Sequence, residues 1–239
     1  MAAGSILSAF EDAQIAPRRS LAEEAADRLR EAILLEQLAP GTPVPERDLS
    51  EAMGISRTPL KDALRILEAE GLIDYGPTRR PRVANPTLAT LRDNITVLGA
   101  LEALAGELAC AVATDADLAD IAAAARRMET DPADALAFFH MDMAFHGAIV
   151  AAARNAPLAE THRHYNARLW RARFLSSRQI DRRENTLAEH ARIVTALTAR
   201  DGGATAQSLR AHLRSTIENI ARVHVDRGPR DAGKDGRLR

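Results

Sequence analysis

The sequence predicts a mainly α-helical protein with two domains, a winged helix-turn-helix followed by an all-α bundle of six to seven helices. Aromatic residues make up only 3% of the 239 residues while hydrophobic residues make up 46%, which is typical of helices packed through alanine and leucine. Apolar residues recur at helical spacing, and strand-like patterns are confined to residues 72–83. Asn85-Pro86-Thr87 breaks any helix and marks a boundary between domains.

These patterns divide the chain into five parts. We expect a flexible N-terminal arm at 1–19, the winged helix-turn-helix at 20–84, a linker at 85–88, the helical domain at 89–225 and a flexible charged tail at 226–239.

Composition favours a protein of the cytoplasm. The single cysteine cannot form an internal disulfide, which fits a reducing compartment. No apolar run approaches the roughly 20 residues of a membrane span, and the N-terminus lacks the pattern of a signal peptide. The formal net charge of −1 gives no support to a nucleic-acid partner, so a case for one must rest on where the charges lie.

The first domain opens with a capping box, because Ser20 is followed three residues later by Glu23. Residues 46–71 then show two short helical patterns separated by Gly54, and the second ends at Gly71. Its apolar side is formed by Leu60, Ala63, Leu64 and Leu67. Its opposite side presents Arg57, Thr58, Lys61 and Arg65. Such a unit suits a groove of DNA.

Residues 72–83 predict a hairpin, or wing, with Arg79, Arg80 and Arg82 near its tip. Like charges so close repel, so a polyphosphate partner explains them better than folding does, although a solvated basic loop is the alternative. The domain carries nine basic and twelve acidic side chains, a net charge of −3. Six of the basic residues lie in the third helix and wing. The prediction of DNA binding therefore rests on the position of the basic residues and not on the net charge of the domain.

The segment SEAMGISRTPLKDALRILEAEGLI resembles the signature of the GntR family of winged helix-turn-helix regulators. In two places the chain departs from the family pattern: Lys61 replaces an arginine, which loses bidentate hydrogen bonding, and Arg80-Pro81 occupies a wing tip that usually contains glycine. The resemblance implies that seven residues contact DNA: Arg47, Ser56, Arg57, Thr58, Lys61, Arg79 and Arg80. Arg57 suits a base edge, because its guanidinium can pair with guanine O6 and N7.

The second domain reads as six helices near 88–112, 115–129, 133–153, 156–176, 182–200 and 203–225. Four polar residues fall on faces that are otherwise apolar: Asp142, His146, His190 and His212. Burying these groups is costly unless they are paired or bind a cation. One carboxylate and three imidazoles suit a divalent transition metal, zinc first and manganese or nickel as alternatives. The alternative is that each histidine makes one hydrogen bond in the core.

This domain resembles the FCD ligand-binding domain of the FadR subfamily of GntR regulators, through AFFHMDMAFHGAIVAAARN, LAEHARIVTAL and LRAHLRSTI. The resemblance implies a bound divalent metal, a small carboxylate effector beside it and a homodimer.

In that subfamily an arginine on the first helix of the domain often holds the effector, about one turn before the position of Glu102. Residues 96–101 contain no basic residue here. We therefore expect the effector to be held from elsewhere, with Arg168, Tyr165 and Asn219 as candidates on the inward stripes of their helices.

The leading hypothesis is a metabolite-responsive transcriptional regulator, a repressor, that binds a palindromic operator as a homodimer and loses operator affinity when its effector binds. The alternative from another class is a metal-dependent hydrolase or lyase tethered through a winged-helix docking module, because such a metal could activate water. A third possibility is that the histidines only hold helices together.

Overall fold

The computed structural model describes residues 19–130, 134–179 and 182–227. Within these ranges the chain forms nine α-helices and one two-stranded sheet, which confirms the mainly α fold. Most of the expected N-terminal arm and charged tail lies outside the described residues, as do residues 131–133 and 180–181.

The N-terminal domain begins with α1 (Leu21–Leu34), α2 (Glu46–Met53) and α3 (Arg57–Ala69). The capping box at the start of α1 is formed, since the side chain of Ser20 accepts from the Glu23 N–H and the Glu23 carboxylate accepts from the Ser20 N–H. Gly54 and Gly71 have φ angles of 65° and 72°, so both provide the left-handed backbone that ends a helix. The four apolar residues expected on the inner side of α3 are all buried.

The wing consists of β1 (Ile73–Tyr75) and β2 (Pro81–Val83), paired antiparallel with Asp74 opposite Arg82. The turn between them is closed by a hydrogen bond from Arg79 N to the Gly76 carbonyl at 2.8 Å, with Arg79 at a φ of 53°. Residues 42–44 run along the other edge of β2, where Val44 N donates to the Pro81 carbonyl.

Six helices follow: α4 (Leu88–Val112), α5 (Asp115–Thr130), α6 (Ala135–Ala152), α7 (Ala156–Ser177), α8 (Arg183–Thr198) and α9 (Gly202–Arg227). Their positions agree with the six predicted helices to within a few residues. The side chains of Thr87, Asp134 and Asn155 cap α4, α6 and α7. Helix α4 runs through the centre and packs most extensively on α9, with α7 and α6 on its other sides.

Helices α4 and α6 are long and apolar enough to cross a membrane by length and composition, with mean hydropathies of 1.7 and 1.4. The prediction that no run approaches this length was therefore wrong. The high hydropathy of the two helices comes from their alanine and leucine residues. Close packing of helices in a bundle uses the same residues. Both helices carry buried ionisable groups, Glu102 on α4 and Asp142 and His146 on α6, as expected of core helices.

The contact between α4 and α9 depends on a small residue at position 106. A Cβ added to Gly106 would lie 2.6 Å from both Leu209 Cδ1 and Thr205 Cγ2. We expect Gly106→Ala to destabilise the protein by about 1–3 kcal/mol through overpacking. Gly147→Ala is the matched control, because Gly147 is exposed in α6 with nothing within 4 Å of an added Cβ, and we expect it to stabilise by about 0.5–1 kcal/mol. Urea unfolding followed by circular dichroism measures both, and equal effects would contradict the packing described.

Candidate functional site

The structure brings the four polar residues of the helical domain together at one point. Asp142 and His146 lie one turn apart on α6, His190 comes from α8 and His212 from α9. One ligand atom of each lies within 4.8 Å of the others, and all four residues are buried. Three helices that are distant in sequence therefore converge on one cluster, which we call the His/Asp cluster.

The atoms that face each other in this cluster lack hydrogen-bond partners. Within the described chain this is true of Asp142 Oδ1, His146 Nε2 and His190 Nε2. The Asp142 oxygen lies 3.6 Å from His146 Nε2 and 3.3 Å from His190 Nε2. Buried polar atoms without partners are costly, and here they converge as the lone pairs of a coordination site do. The residues therefore fit a divalent cation.

A carboxylate lies against the outer nitrogen of two of the three histidines. Glu102 Oε2 on α4 lies 2.8 Å from His146 Nδ1, and Glu189 Oε2 on α8 lies 2.8 Å from His212 Nδ1. Carboxylates in this position fix the ring orientation and tautomer, and leave Nε2 free to bind a metal. Glu102 was not among the predicted site residues, although it shares a helical face with the buried Leu98 and Ala105.

Glu102 is held in turn by residues of α7. Its Oε1 lies 3.2 Å from His162 Nε2 and 3.7 Å from the Arg173 guanidinium, which also donates to Asp142 Oδ2 at 3.3 Å. All of these side chains are buried. His162 does not share an apolar face as clearly as the cluster histidines do, so helical periodicity gives no sign that it is buried.

The charges of the cluster are strongly coupled. Burial opposes ionisation of Asp142, but contacts to His146, His190 and Arg173 outweigh it, so the pKa of Asp142 lies well below its usual value. Burial is likewise outweighed at Glu102, whose pKa is lowered by His146, His162 and Arg173. Burial lowers the pKa of His190 to about 4, whereas Glu102 and Asp142 overcome burial at His146 and raise its pKa to about 9. A metal at this point must therefore displace the His146 proton.

A small cavity, with about 30 Å³ of space for the centres of water-sized molecules, lies beside the cluster between α6, α7, α8 and α9. Asp142 and His212 line it, as do Arg173, Arg183 and the predicted candidate Asn219. The other two effector candidates lie elsewhere. Arg168 Cγ would meet a Cβ added to Gly71 at 2.8 Å, and Tyr165 packs against an apolar group that includes Leu91 and Ile95. Arg173 was missed because it lies in a run of arginines that resembles a solvated surface.

The predicted DNA-contacting residues form an exposed face of the N-terminal domain. All seven are exposed: Arg47, Ser56, Arg57, Thr58, Lys61, Arg79 and Arg80. Helix α3 has no side-chain cap and no acidic residue in its first turn, so its N-terminus is open to an anion such as a phosphate.

The two domains contact each other through α1 and α7. The Arg30 guanidinium on α1 lies over the Trp170 ring of α7, 5.4 Å from its centroid, and makes two hydrogen bonds to Glu70 at 2.7 and 3.0 Å. Leu34 packs into an apolar group with Phe139 and Phe174. Arg171 donates to Glu36 at 2.7 Å. Because Glu70 is the C-cap of α3, Arg30 links the predicted recognition helix to the helical domain.

Two family models match the chain. The model of bacterial regulatory proteins of the gntR family matches residues 21–83, and that of the FCD domain matches residues 93–215, which is more than half of the chain. The chain belongs to the GntR family of transcriptional regulators. The GntR match covers the domain with the exposed basic face, and the FCD match contains the whole His/Asp cluster. FCD domains commonly bind metals, in agreement with this cluster.

Relatives of this GntR protein are regulators of transcription. It is 30% identical over 203 residues to an uncharacterized HTH-type regulator in an unstable DNA locus of Streptomyces ambofaciens, covering 83% of this chain and 84% of the relative. It is 26% identical over 222 residues to the HTH-type transcriptional repressor RspR of Escherichia coli K12, covering 90% and 95%. Identity to the Glc operon transcriptional activator of the same organism is 27% over 240 residues, covering 87% and 92%.

Solved structures show the same fold. The E. coli McbR/YncC structure matches with a TM-score of 0.73 at 20% identity, over 86% of this chain and 99% of the other. A GntR regulator from Rhodococcus sp. RHA1 matches with a TM-score of 0.68 at 22% identity, over 86% and 100%. Because the family and the relatives are transcriptional regulators and not enzymes, the hydrolase or lyase alternative is set aside.

Proposed function

We propose that this GntR protein is a cytoplasmic repressor that binds a palindromic operator as a homodimer and is controlled by a divalent metal and a small carboxylate effector in its FCD domain. The observation that carries the proposal is the His/Asp cluster, whose unpartnered atoms converge beside an arginine-lined cavity.

The operator contact is made by the exposed face of α3 and the wing. Arg57 lies at the first position of α3 with its side chain exposed, where it reads a base edge in the major groove. Arg47, Ser56, Thr58 and Lys61 fix the helix on the phosphates, and Arg79 and Arg80 of the wing reach the minor groove.

Arg57→Ala should weaken operator binding about 5- to 160-fold, since a base-reading arginine contributes about 1–3 kcal/mol. The control is Arg126→Ala, which removes the same charge from an exposed position on α5 in the other domain. Mobility-shift titrations at fixed salt measure both. Unchanged affinity in the Arg57 variant would show that α3 is not the reading helix.

A divalent metal would be held by Asp142, His146, His190 and His212. Three imidazoles and one carboxylate suit zinc best, with manganese or nickel as alternatives. When bound, the metal supplies positive charge beside the cavity and polarises an anionic ligand there. Glu102 and Glu189 orient His146 and His212, and Arg173 holds Asp142 in place.

Replacing a ligand or its orienting carboxylate should lower the metal content in a graded way. We expect His146→Ala to lose the bound metal, because it removes a ligand. We expect Glu102→Gln to weaken metal affinity only about 10–100-fold, because it keeps the His146 ligand and removes a carboxylate that orients its imidazole ring. The controls on the same helices are His140→Ala and Glu107→Gln, both exposed. Mass spectrometry of purified protein and competition with a chelator provide the measurements. Full metal content in the His146 variant would contradict the site.

The effector carboxylate is held by arginines of the cavity instead of the missing arginine of α4. Arg173 is buried and lines the cavity, and Arg183 lies on the opposite helix, α8. These two positions, with Asn219, replace Arg168 and Tyr165 as our assignment of the effector site.

Helix α7 couples the effector to DNA, because it carries contacts to both. Arg173 faces Asp142 and the cavity, while Trp170, one turn earlier, supports Arg30, which holds Glu70 at the end of α3. A small shift of α7 on effector binding therefore changes the position of α3. The effector needs only about 1.4 kcal/mol of differential binding to lower operator affinity tenfold. An effector that releases the protein from DNA fits a repressor.

Trp170→Ala should uncouple the two domains. We expect the variant to bind the carboxylate selected by a thermal-shift screen as the natural protein does, while the effect of that carboxylate on operator affinity falls severalfold. Trp170→Phe is the control, because it keeps an aromatic face under Arg30. An unchanged effect of the carboxylate in the alanine variant would rule out this route.

The homodimer is supported by an exposed apolar stripe on α4. Val97, Leu104 and Val112 are 38%, 43% and 50% exposed and lie on one side of the helix. Such a stripe on a central helix suits a second copy, which also supplies the second recognition helix for a palindrome.

A further inference from the structure

Lysine is rare in this chain. Of its 32 lysine and arginine residues only two are lysines, Lys61 and Lys234, and Lys234 lies outside the described residues. Lys61 is on the outer face of α3, between Arg57 and Arg65. A phosphate contact alone does not require a lysine there, because a guanidinium also binds phosphate and always keeps its charge. What lysine adds is an amine that can lose its proton and be acylated.

The amine of Lys61 is open to a reagent from solution. Lys61 is exposed on the second turn of α3, and within the described residues its side chain makes no ion pair and no hydrogen bond. Arg65, one turn later, is by contrast paired with Asp62 at 3.2 Å. No carboxylate therefore has to be displaced before the Lys61 amine reacts, and no neighbouring side chain has to move to expose it.

The surroundings of Lys61 suit an acyl donor that carries a phosphate group. Arg57 precedes Lys61 by four positions on α3, so the two side chains share one face with their Cβ atoms about 5–6 Å apart. Arg57 is exposed and, in the described part of the chain, makes no ion pair. A guanidinium binds phosphate through paired hydrogen bonds. In the absence of DNA, a phosphate held by Arg57 places an attached acyl carbon next to the Lys61 amine.

We propose that Lys61 is an acylation site, modified by a small acyl phosphate, and that its acylation weakens DNA binding. The Nζ lone pair attacks the acyl carbon. The N–C bond forms while the bond from that carbon to the phosphate oxygen breaks, and inorganic phosphate leaves with the proton that the nitrogen loses. The product is a neutral amide, so the contact of Lys61 with a DNA phosphate is lost. This second half rests on the proposed DNA contact of α3.

Two acetyl donors test the site on the full-length protein. We expect peptide mass spectrometry to show that acetyl phosphate modifies Lys61 severalfold faster than Lys234, and that Arg57→Gln slows the reaction at Lys61 severalfold. The same substitution should not change acetylation of Lys61 by p-nitrophenyl acetate, which carries no phosphate. If Lys61 reacted no faster than Lys234, or if Arg57→Gln slowed both donors alike, the acylation site would be wrong and the DNA contact would be unaffected.

Binding to a mixed-sequence DNA duplex tests the consequence, because such binding depends on phosphate contacts and needs no operator. We expect the acetylated protein to bind about 5–10-fold more weakly at about 0.1 M salt, and the slope of log affinity against log salt to fall by about one per protomer. Lys61→Arg is the matched control, because it keeps the positive charge and removes the amine. Treatment with acetyl phosphate should leave the affinity of this variant unchanged, although every other amine of the chain remains.

An equal loss of affinity in the treated Lys61→Arg variant would overturn the switch, since another amine would then be responsible. Unchanged affinity of the natural protein after acetylation of Lys61 would overturn it as well. The proposed DNA contact is judged separately by Arg57→Ala on the same duplex. If the Arg57 variant loses affinity while acetylation has no effect, only the switch fails, and if neither has an effect, the contact of α3 with DNA fails with it.

Discussion

Two ionised carboxylates buried in an apolar bundle, Asp142 and Glu102, set the constraint on which the rest of the helical domain depends. Each is almost fully buried, and contacts to histidines and Arg173 keep the pKa of each well below its usual value. Buried negative charge must be balanced by positive charge close by. Arg173 supplies part of that balance, and the remainder falls to a protonated His146 or to a divalent cation at the cluster. The five helices α4, α6, α7, α8 and α9 are arranged around this requirement.

Arg173 lies on the same helix as the contact to the DNA-binding domain, and this connects the charge balance to the recognition helix. Arg173 lies three positions after Trp170, about one turn of α7, so Arg173 contacts the cluster and Trp170 contacts Arg30. Glu70, which Arg30 holds, is the C-cap of α3. A ligand that redirects the Arg173 guanidinium acts at one end of this series of contacts. Contacts between packed elements can turn a small local shift into a change of domain position.

Much of the fold follows from local patterns in the sequence. The helices end where proline, glycine or a capping residue interrupts the periodicity, so their positions were predicted to within a few residues. The His/Asp cluster was also predictable in composition, because each member falls on an otherwise apolar helical face. Glu102 also falls on an otherwise apolar face, that of α4, but it was not predicted as a site residue.

The rest could not be read from periodicity. Arg173 lies in an arginine-rich segment in which Arg163 and Arg178 are exposed, and spacing alone does not separate the buried member from these. The contact between Trp170 and Arg30 joins two domains. The spacing of apolar residues along α1 or α7 does not indicate which surface of one domain packs against the other.

X-ray absorption at the zinc edge of purified, zinc-loaded protein tests the central claim most directly, because it reports the atoms bound to the metal. The account predicts three imidazole ligands with a nitrogen distance of about 2.0–2.1 Å and an oxygen ligand, with the imidazole signal reduced in His190→Ala. A spectrum without imidazole scattering, or one unchanged by that substitution, would contradict it.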